Sequence, residues 1–320
     1  MSYTLVATAK NEGPYLLEWV AYHRMIGFDN ILIFQNDSDD LTDETLKVLR
    51  EIGAVDYRYN RAAKGRHQVR AYKRAARTPE FTNATWALAL DLDEFLHIRT
   101  GDGHIDDLFS ELPPTDMVLL NWRRFGNDGR LKMTERLVAE RFLSAEPEER
   151  IAERLTPFKA MFRPRLFERC GVHQPYGPRI AEDRLRICNG SGLIEPEFTR
   201  QRFRAMDPAQ RRLAQINHYI TRDAASFVLK SHRGSAHQAD RGIDKSYWEK
   251  RNFNDQQDDG LARRSDEIVT AMAELDAASG GQLEVLRLAS LRLHLDRFEK
   301  LLKQPVYRDL YEFCAALAAA

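Results

Sequence analysis

Trp86-Ala87-Leu88-Ala89-Leu90-Asp91-Leu92-Asp93-Glu94-Phe95-Leu96 is an apolar run of strand length that ends in three carboxylates and then turns apolar again. A run of Ala and Leu without alternation fits a strand buried on both faces, as in parallel sheets covered by helices. An unpaired buried carboxylate is costly, so acids at the end of such a strand face a cleft, a cation or a basic partner. Asp-x-Asp on an extended backbone sends both side chains to one side. Two hard oxygen donors placed this way suit Mg2+ or Mn2+, ions held by one or two carboxylates plus substrate phosphates. An isolated pair of this kind more often caps a helix or meets a nearby arginine, so the neighbouring sequence has to choose between the readings.

Upstream, strand and helix alternate. Tyr3 to Thr8 is a β-rich run, Pro14 suits a helix's first turn, and a helix from about Tyr15 to Ile26 stops at Gly27. Asn30 to Gln35 is a second strand running into the polar turn Asn36 to Asp40, and Thr42 caps a helix reaching about Ile52. Ala54 to Tyr59 reads as a third strand, Gly65 to Arg77 as a basic third helix, and Trp86 to Leu90 as the fourth strand. Such alternation with short connections means right-handed crossovers and a mainly parallel sheet, whose ligands bind at the strands' carboxyl ends. Three of those ends carry polar clusters: Lys10-Asn11-Glu12, Asn36 to Asp40, and Asp91 to Glu94. Their convergence on one edge makes a site of what would otherwise be three unremarkable loops.

The chain has 320 residues, enough for one large or two modest domains, and 43% hydrophobic with 30% charged residues describes an ordinary globular protein. Lys plus Arg and Asp plus Glu both number 48, so no global charge favours a nucleic-acid partner. The three cysteines lack C-x-x-C spacing, which speaks against a zinc site or disulfide framework and suits a reducing compartment. Met1 to Ala7 looks like a first core strand and not a signal peptide, and no stretch has the roughly 18 apolar residues of a spanning helix. The expectation is a cytoplasmic protein, with a peripheral place at the inner membrane as the secondary reading of its amphipathic tail.

The segments VATAKNEGPYLLEWVAYHRMIGFDNILIFQNDSDD, DLDEFL and NWRRFGNDG, followed by FKAMFRP and INHYITRDAASFVLKSHRG, resemble a GT-A glycosyltransferase of the family-2-like bacterial branch, which also resembles the family 92 enzymes. The likeness runs to about Gly234. It implies a Rossmann-like GT-A catalytic domain over residues 1–235, with 1–125 as the nucleotide-sugar half and 126–235 as the acceptor half. A mainly helical extension over 236–320 follows. It also implies a nucleotide-diphosphate donor, most often a UDP-sugar, and Mn2+ or Mg2+ at the Asp-x-Asp.

Glycosyl transfer has to stabilise a departing diphosphate, and a metal bridging its oxygens neutralises that charge. Asp93 is the expected direct ligand. Asp91 acts through the metal, its water or the donor's ribose, and Glu94 orients the site or lies behind it. Lys10, Asn11 and Glu12 are placed at the nucleotide by the fold, and Asp37 and Asp39 at base or ribose, although Asp also favours an Asx-turn there. In the basic helix led by Lys64, Gln68 and Arg70 are nearest the donor; the other cations read as a solvated face. Trp122 and Arg124 suit sugar recognition on the acceptor side, and Trp122 equally suits a core. Lys159, within an apolar strand, suggests a phosphate or acceptor contact. Metal-using GT-A enzymes often complete the site with a later histidine, which matches His218 best, with His173 as the alternative; His232 and His237 are the other histidines of this half. Lys230, His232 and Arg233 are a compact cationic cluster suited to the diphosphate. For the general base of an inverting reaction, Glu182-Asp183 resembles the acidic pair of inverting GT-A enzymes, and Asp128 competes.

Leu131 to Arg154 is charged and reads as helical, and Leu283 to Lys303 is a long amphipathic helix that either packs on the catalytic domain or forms a homodimer contact. The reading is therefore a metal-dependent inverting glycosyltransferase that moves a sugar to a hydroxyl of a glycan, lipid-linked saccharide or polysaccharide precursor. The alternatives are a nucleotidyltransferase, against which the absence of a Gly-rich phosphate loop in AKNEGPY speaks, or a catalytically silent nucleotide-sugar-binding protein.

Overall fold

A computed structural model describes residues 1–61, 66–234 and 243–318; Lys64, Gly65 and His237 lie outside the described residues. The chain begins β1 (Tyr3–Ala9), α1 (Gly13–Met25), β2 (Asn30–Gln35), α2 (Thr42–Glu51), β3 (Asp56–Tyr59), α3 (His67–Ala75), α4 (Pro79–Thr82), β4 (Trp86–Ala89) and β5 (Glu94–Ile98). The middle holds α5 (Ile105–Glu111), β6 (Met117–Arg124), α6 (Val138–Arg141), β7 (Ser144–Ala145), α7 (Arg150–Glu153), β8 (Thr156–Phe162), β9 (Phe167–Arg169) and β10 (Tyr176–Pro178). Then come β11 (Ile187–Asn189), β12 (Arg204–Ala205), β13 (Ala214–His218), α8 (Ala224–Arg233), α9 (Lys245–Glu249), β14 (Gln256–Gln257), α10 (Ser265–Ala278), α11 (Gln282–Leu301) and α12 (Pro305–Ala318).

One large sheet runs β3-β2-β1-β4-β8-β6-β13-β5, with β11 beside β6 and β12 beside β8. The expected α/β architecture holds. β1 to β4 are parallel to one another, whereas β8 is antiparallel to both β4 and β6, so the sheet as a whole is mixed. Alternate residues of each strand serve opposite faces. Leu5, Ile31, Ile33, Leu88 and Leu90 join one core under α1, while Val6, Leu32, Phe34, Ala87 and Ala89 join the other with Ala71 and Tyr72 of α3. A third core joins α8 and α9 to α11 and α12.

Pro14 stands in the first turn of α1, and α1 is buried from Gly13 to His23, between the sheet and the helices α10 and α11. Thr42 is the first helical residue of α2 and not its cap; Leu41 takes the cap position at φ 69°, and the Thr42 hydroxyl donates to Asp40 Oδ1. The helix expected across 131–154 is replaced by two single turns, α6 and α7, around the short strand β7. Long-range ion pairs decide that region: Arg141 with Asp223 (2.6 Å), Glu146 with Arg124 (2.5 Å) and Glu148 with Arg99 (2.7 Å) hold it against distant parts of the chain. Among the described residues no helix is long and apolar enough to cross a membrane.

Candidate active site

Because β1, β2 and β4 are parallel, the loops after them emerge on one edge, and there they meet α8 and α11. The turn after β4 is fixed by its own acids: Asp91 N donates to Glu94 Oε2 (2.9 Å) and Glu94 N to the Asp91 carbonyl (3.0 Å). Lys159 of β8, itself buried, puts Nζ 2.9 Å from Asp91 Oδ2 and 3.1 Å from Glu94 Oε2. Gln68 Nε2 donates to the other oxygen of Asp91 at 2.8 Å. Burial disfavours the charged lysine, but the Asp91 carboxylate, with Glu94 beside it, outweighs this and keeps Lys159 protonated. Burial also pushes the Glu94 carboxyl up to about 8, against the pull of Lys159 and with the help of the charges of Asp91 and Asp93. The buried unit is thus a lysine–aspartate ion pair beside a protonated glutamic acid.

Asp93 faces the other way. Its Oδ2 accepts from Lys230 Nζ at 2.8 Å, and Lys230 also donates to the Ile220 carbonyl at 2.7 Å. Its Oδ1 stands 3.6 Å from His218 Nε2, too far for a hydrogen bond. Burial alone would raise the Asp93 carboxyl; the Lys230 ammonium, the largest opposing charge, outweighs it and holds it well below the usual carboxylate range. Burial lowers His218, favouring the neutral ring. Its Nδ1 is buried without a hydrogen-bond partner, 3.9 Å from Glu94 Oε1.

A third unit centres on Glu12. Its two carboxylate oxygens accept from Arg222 Nη1 (2.9 Å) and Arg233 Nη1 (2.7 Å), and Arg233 also donates to the Lys10 carbonyl. Arg222 Nη2 reaches the Leu92 carbonyl (3.1 Å), and the guanidinium lies 3.7 Å over the Tyr15 ring. Burial raises the Glu12 carboxyl, and the two arginines more than reverse this. Arg222 (φ 52°), Asn11 (φ 53°) and Asp37 (φ 48°) hold left-handed backbone that side chains seldom adopt, least of all Arg. Strain of this kind concentrates where binding sites over-determine the backbone.

These units border a cavity of about 320 Å³. Of the expected donor residues, Lys10, Asn11, Glu12, Asp37, Asp39, Lys230 and Arg233 line it, as does Asp93. Tyr59 OH donates to Asp37 (2.6 Å), and Asn11 Nδ2 to Asp39 (2.7 Å). Gln68 and Asp91 meet each other behind this lining, and Arg70 is exposed on α3 away from it. Trp122 packs its ring 4.3 Å from that of His218 and 5.5 Å from that of His173. Arg124 is bound to Glu146 and lies 4.4 Å over Phe253. Glu182 and Asp183 sit on an exposed turn outside the lining, where Glu182 pairs with Arg202 at 3.3 Å. Asp128 accepts from the Ser144 hydroxyl at 2.6 Å.

The lining also contains Tyr15, Arg222, His294 and Arg297, which sequence reasoning did not select. Arg222 carried one usable signal, a lone arginine in the stretch ITRD between a buried strand and the Asp223 that caps α8. His294 and Arg297 carried none: they lie on α11, more than 250 residues from the loops they touch. His294 Nε2 meets Asp40 Oδ2 at 2.7 Å, and Arg297 Nη1 donates to Asp39 Oδ1 at 2.9 Å.

The donor set at Asp93 fits a divalent cation. The 3.6 Å between Asp93 Oδ1 and His218 Nε2 lies within the span of two metal bonds of about 2.1 Å each. His218 Nδ1, 3.9 Å from Glu94 Oε1 and without a hydrogen-bond partner, leaves Nε2 as the nitrogen nearer Asp93. Among the described residues no three His, Cys, Asp or Glu side chains converge, so further ligands would come from water and a bound phosphate, the habit of Mg2+ and Mn2+.

A model of glycosyltransferase family 92 matches residues 9–181. A glycosyltransferase family 92 protein of Ricinus communis is 31% identical over 97 residues, 29% of this chain and 16% of that protein. One of Oryza sativa subsp. japonica is 28% identical over 130 residues, 40% of this chain and 22% of that protein. The aligned part of the chain therefore spans about a fifth of the length of these curated relatives. Among solved structures, S. aureus TarS 1-349 is 13% identical, covering 95% of this chain and 92% of that one with a TM-score of 0.36. Glucosyl-3-phosphoglycerate synthase from Mycobacterium tuberculosis is 14% identical, covering 59% and 69% with a TM-score of 0.32. The family match takes in more than half of the 320 residues, from the end of β1 through the Asp-x-Asp turn and past Lys159, and the chain belongs to glycosyltransferase family 92.

Proposed function

We propose that the chain transfers a sugar from a nucleoside diphosphate donor, UDP by family resemblance, to a hydroxyl of a glycan or polysaccharide precursor with inversion. The observation that carries this reading is Asp93, an ionised carboxylate that opens onto a cavity otherwise rich in cations, with one oxygen on Lys230 and the other toward a neutral His218. Lys10, Arg222, Lys230 and Arg233 line the cavity where a diphosphate would lie, and fixed cations there stabilise the charge that develops as the glycosidic C–O bond to phosphate breaks. A divalent ion held by Asp93 and His218 would add Lewis-acid neutralisation of the same oxygens. Asp91, bound on both oxygens by Gln68 and Lys159, would support the Asp93 turn from behind the lining. Asn11, Asp37 and Asp39 supply polar contacts for ribose and base.

The acceptor oxygen attacks the anomeric carbon opposite the leaving diphosphate and gives its proton to a base. Asp183 is the proposed base, and unchanged turnover in Asp183→Asn would remove it from the mechanism without touching the donor site.

Thermal stability against a panel of nucleoside diphosphates, with Mn2+ or with chelator, tests the donor reading. Ligand at 100 times its Kd stabilises the folded state by about 2.7 kcal/mol. UDP with Mn2+ is expected to raise Tm, chelator to diminish the rise, and Asp93→Ala to abolish the metal-dependent part. A metal-dependent shift that survives Asp93→Ala would place the ion elsewhere, and no shift with any diphosphate would overturn the transferase reading.

A further inference from the structure

β4 pairs with β8 only at Met161 and Phe162, so the rest of β8 runs on past the strand that ends in Asp91. That continuing edge is filled by His173 and Phe203. Ala160 N donates to the His173 carbonyl (2.8 Å), His173 Nδ1 donates to the Phe158 carbonyl (2.9 Å), and Phe158 N donates to the Phe203 carbonyl (3.2 Å). β12 then pairs with Thr156 and Pro157. The rings form a line that starts at the reacting centre: His218 to Trp122 at 4.3 Å, Trp122 to His173 at 5.5 Å, His173 to Phe203 at 6.0 Å. Phe203, at the outer end, is 50% exposed.

The stretch of sequence that supplies His173 and Phe203 is rich in one kind of cation. Residues 163–212 contain eleven Arg, no Lys and six Asp or Glu, in a chain whose net charge is zero. The Arg204 guanidinium stacks 5.2 Å over Phe203, and Arg169 stacks 4.3 Å over Tyr176, which is also 50% exposed. Among the described residues no carboxylate pairs with Arg184, Arg200 or Arg204, all of which are exposed. Arginine without lysine favours planar, bidentate recognition of phosphate or carboxylate, and exposed rings offer apolar faces to sugar C–H groups.

We propose that the line Trp122–His173–Phe203, with Arg204 stacked on its outer ring, is the acceptor subsite, and that the acceptor is an anionic saccharide chain bearing phosphate or carboxylate groups. The proposal rests on the glycosyl-transfer reading above. A single-stranded nucleic acid would meet the same rings and arginines, but the line leads to His218 and Asp93, where a sugar hydroxyl has to arrive. In the transfer, the acceptor C–O bond forms at the anomeric carbon, the bond to the nucleoside diphosphate breaks with its electron pair, and the hydroxyl proton leaves to the base.

Direct binding tests it by calorimetry on the full chain at low and at 300 mM salt. The probes are an oligogalacturonate, a phosphomannan fragment, maltoheptaose and poly-U, applied to wild type and to the surface variants Phe203→Ala and Arg204→Gln. One of the two anionic saccharides should bind, weaken with salt, and weaken at least tenfold in each variant, and which one binds names the anionic group. The UDP-dependent rise in Tm should be the same in both variants as in wild type. Equal or tighter binding of maltoheptaose or poly-U, wild-type binding in both variants, or no saccharide binding would each overturn the proposal. Because the UDP shift is read on the same samples, its loss in wild type would instead point to failure of the transferase reading.

Discussion

Lys159 shows what a single residue decides here and how its surroundings hide that from sequence. A lysine inside the apolar strand Phe158 to Phe162 stands out, and a phosphate or acceptor contact is a reasonable inference from that oddity. Its partners are Asp91 and Glu94, more than 60 residues earlier, and they are reached only because β8 lies antiparallel against β4. Asp91 is thereby neutralised on one oxygen by Lys159 and bonded on the other by Gln68, which leaves Asp93 to face the cavity. Removing Lys159 leaves Asp91, partly exposed and still bonded to Gln68, without its cation, which costs about 1–3 kcal/mol. Lys159→Met should therefore lower the urea midpoint by an amount of that order, and Lys159→Met combined with Asp91→Asn should recover part of the loss. A double-mutant cycle with no coupling between the two positions would show that Lys159 acts only by filling volume. Residue types and loop positions were legible in Lys10, Glu12, Asp93, Lys230 and Arg233; the pairing of charges across the fold was not, because it depends on strand order.

At the scale of elements, the first third was legible because its signals are local: Pro14 opens α1, Asn30 to Gln35 coincides with β2, and the apolar run at Trp86 coincides with β4. Residues 131–154 lack such punctuation and are shaped by ion pairs to distant segments, so their charged pattern imitated a helix. α11 was legible as an amphipathic helix, but its partner was not. It crosses the start of α1 and the loop after β2, where the Ser290 hydroxyl donates to the Asp40 carbonyl and Asp40 Oδ2 also accepts from Gly13 N (3.0 Å). This contact explains Gly13: a Cβ there would run into Ser290 Oγ and Cβ and stand 2.8 Å from the Asp40 carbonyl oxygen. Overpacking of this kind costs about 1–3 kcal/mol. Gly13→Ala should be destabilised by that much in urea, and adding Ser290→Gly should restore part of it, since the serine side chain is the nearest obstacle and the Asp40 carbonyl remains. No rescue by Ser290→Gly would mean that the close approach of backbone at Asp40, and not α11, sets the requirement for glycine.

At the scale of the molecule, α1 is enclosed between the sheet and the C-terminal helices, and the groups it buries give the protein a particular response to pH. Glu18 of α1 accepts from Val138 N (2.8 Å) and Ala139 N (3.1 Å), yet burial pushes its carboxyl from 4.5 up to about 7. Burial pushes Glu94 up to about 8. Between about pH 4.5 and these values the folded protein holds protons that the unfolded chain has released, so stability falls as pH rises. His23 and His97 act in the opposite sense: burial lowers them from 6.5 to about 3 and about 4, so stability rises with pH until about 6.5, where the unfolded chain also loses its imidazole protons. From pH 4.5 to 6.5 the two falling contributions meet three rising ones, because burial lowers His218 as well, so stability rises gently. Above 6.5 only the glutamates remain, at up to about 1.4 kcal/mol per pH unit for each. Urea denaturation across pH should therefore show a shallow rise from pH 4.5 to a maximum near pH 6.5 and a decline toward pH 8. The decline should be shallower in Glu18→Gln, whose side chain carries no proton to lose. Stability that stays level or climbs from pH 6.5 to 8 would mean that Glu18 and Glu94 are already ionised in the fold. The lysine–aspartate pair behind Asp93 would then hold a second, unneutralised carboxylate.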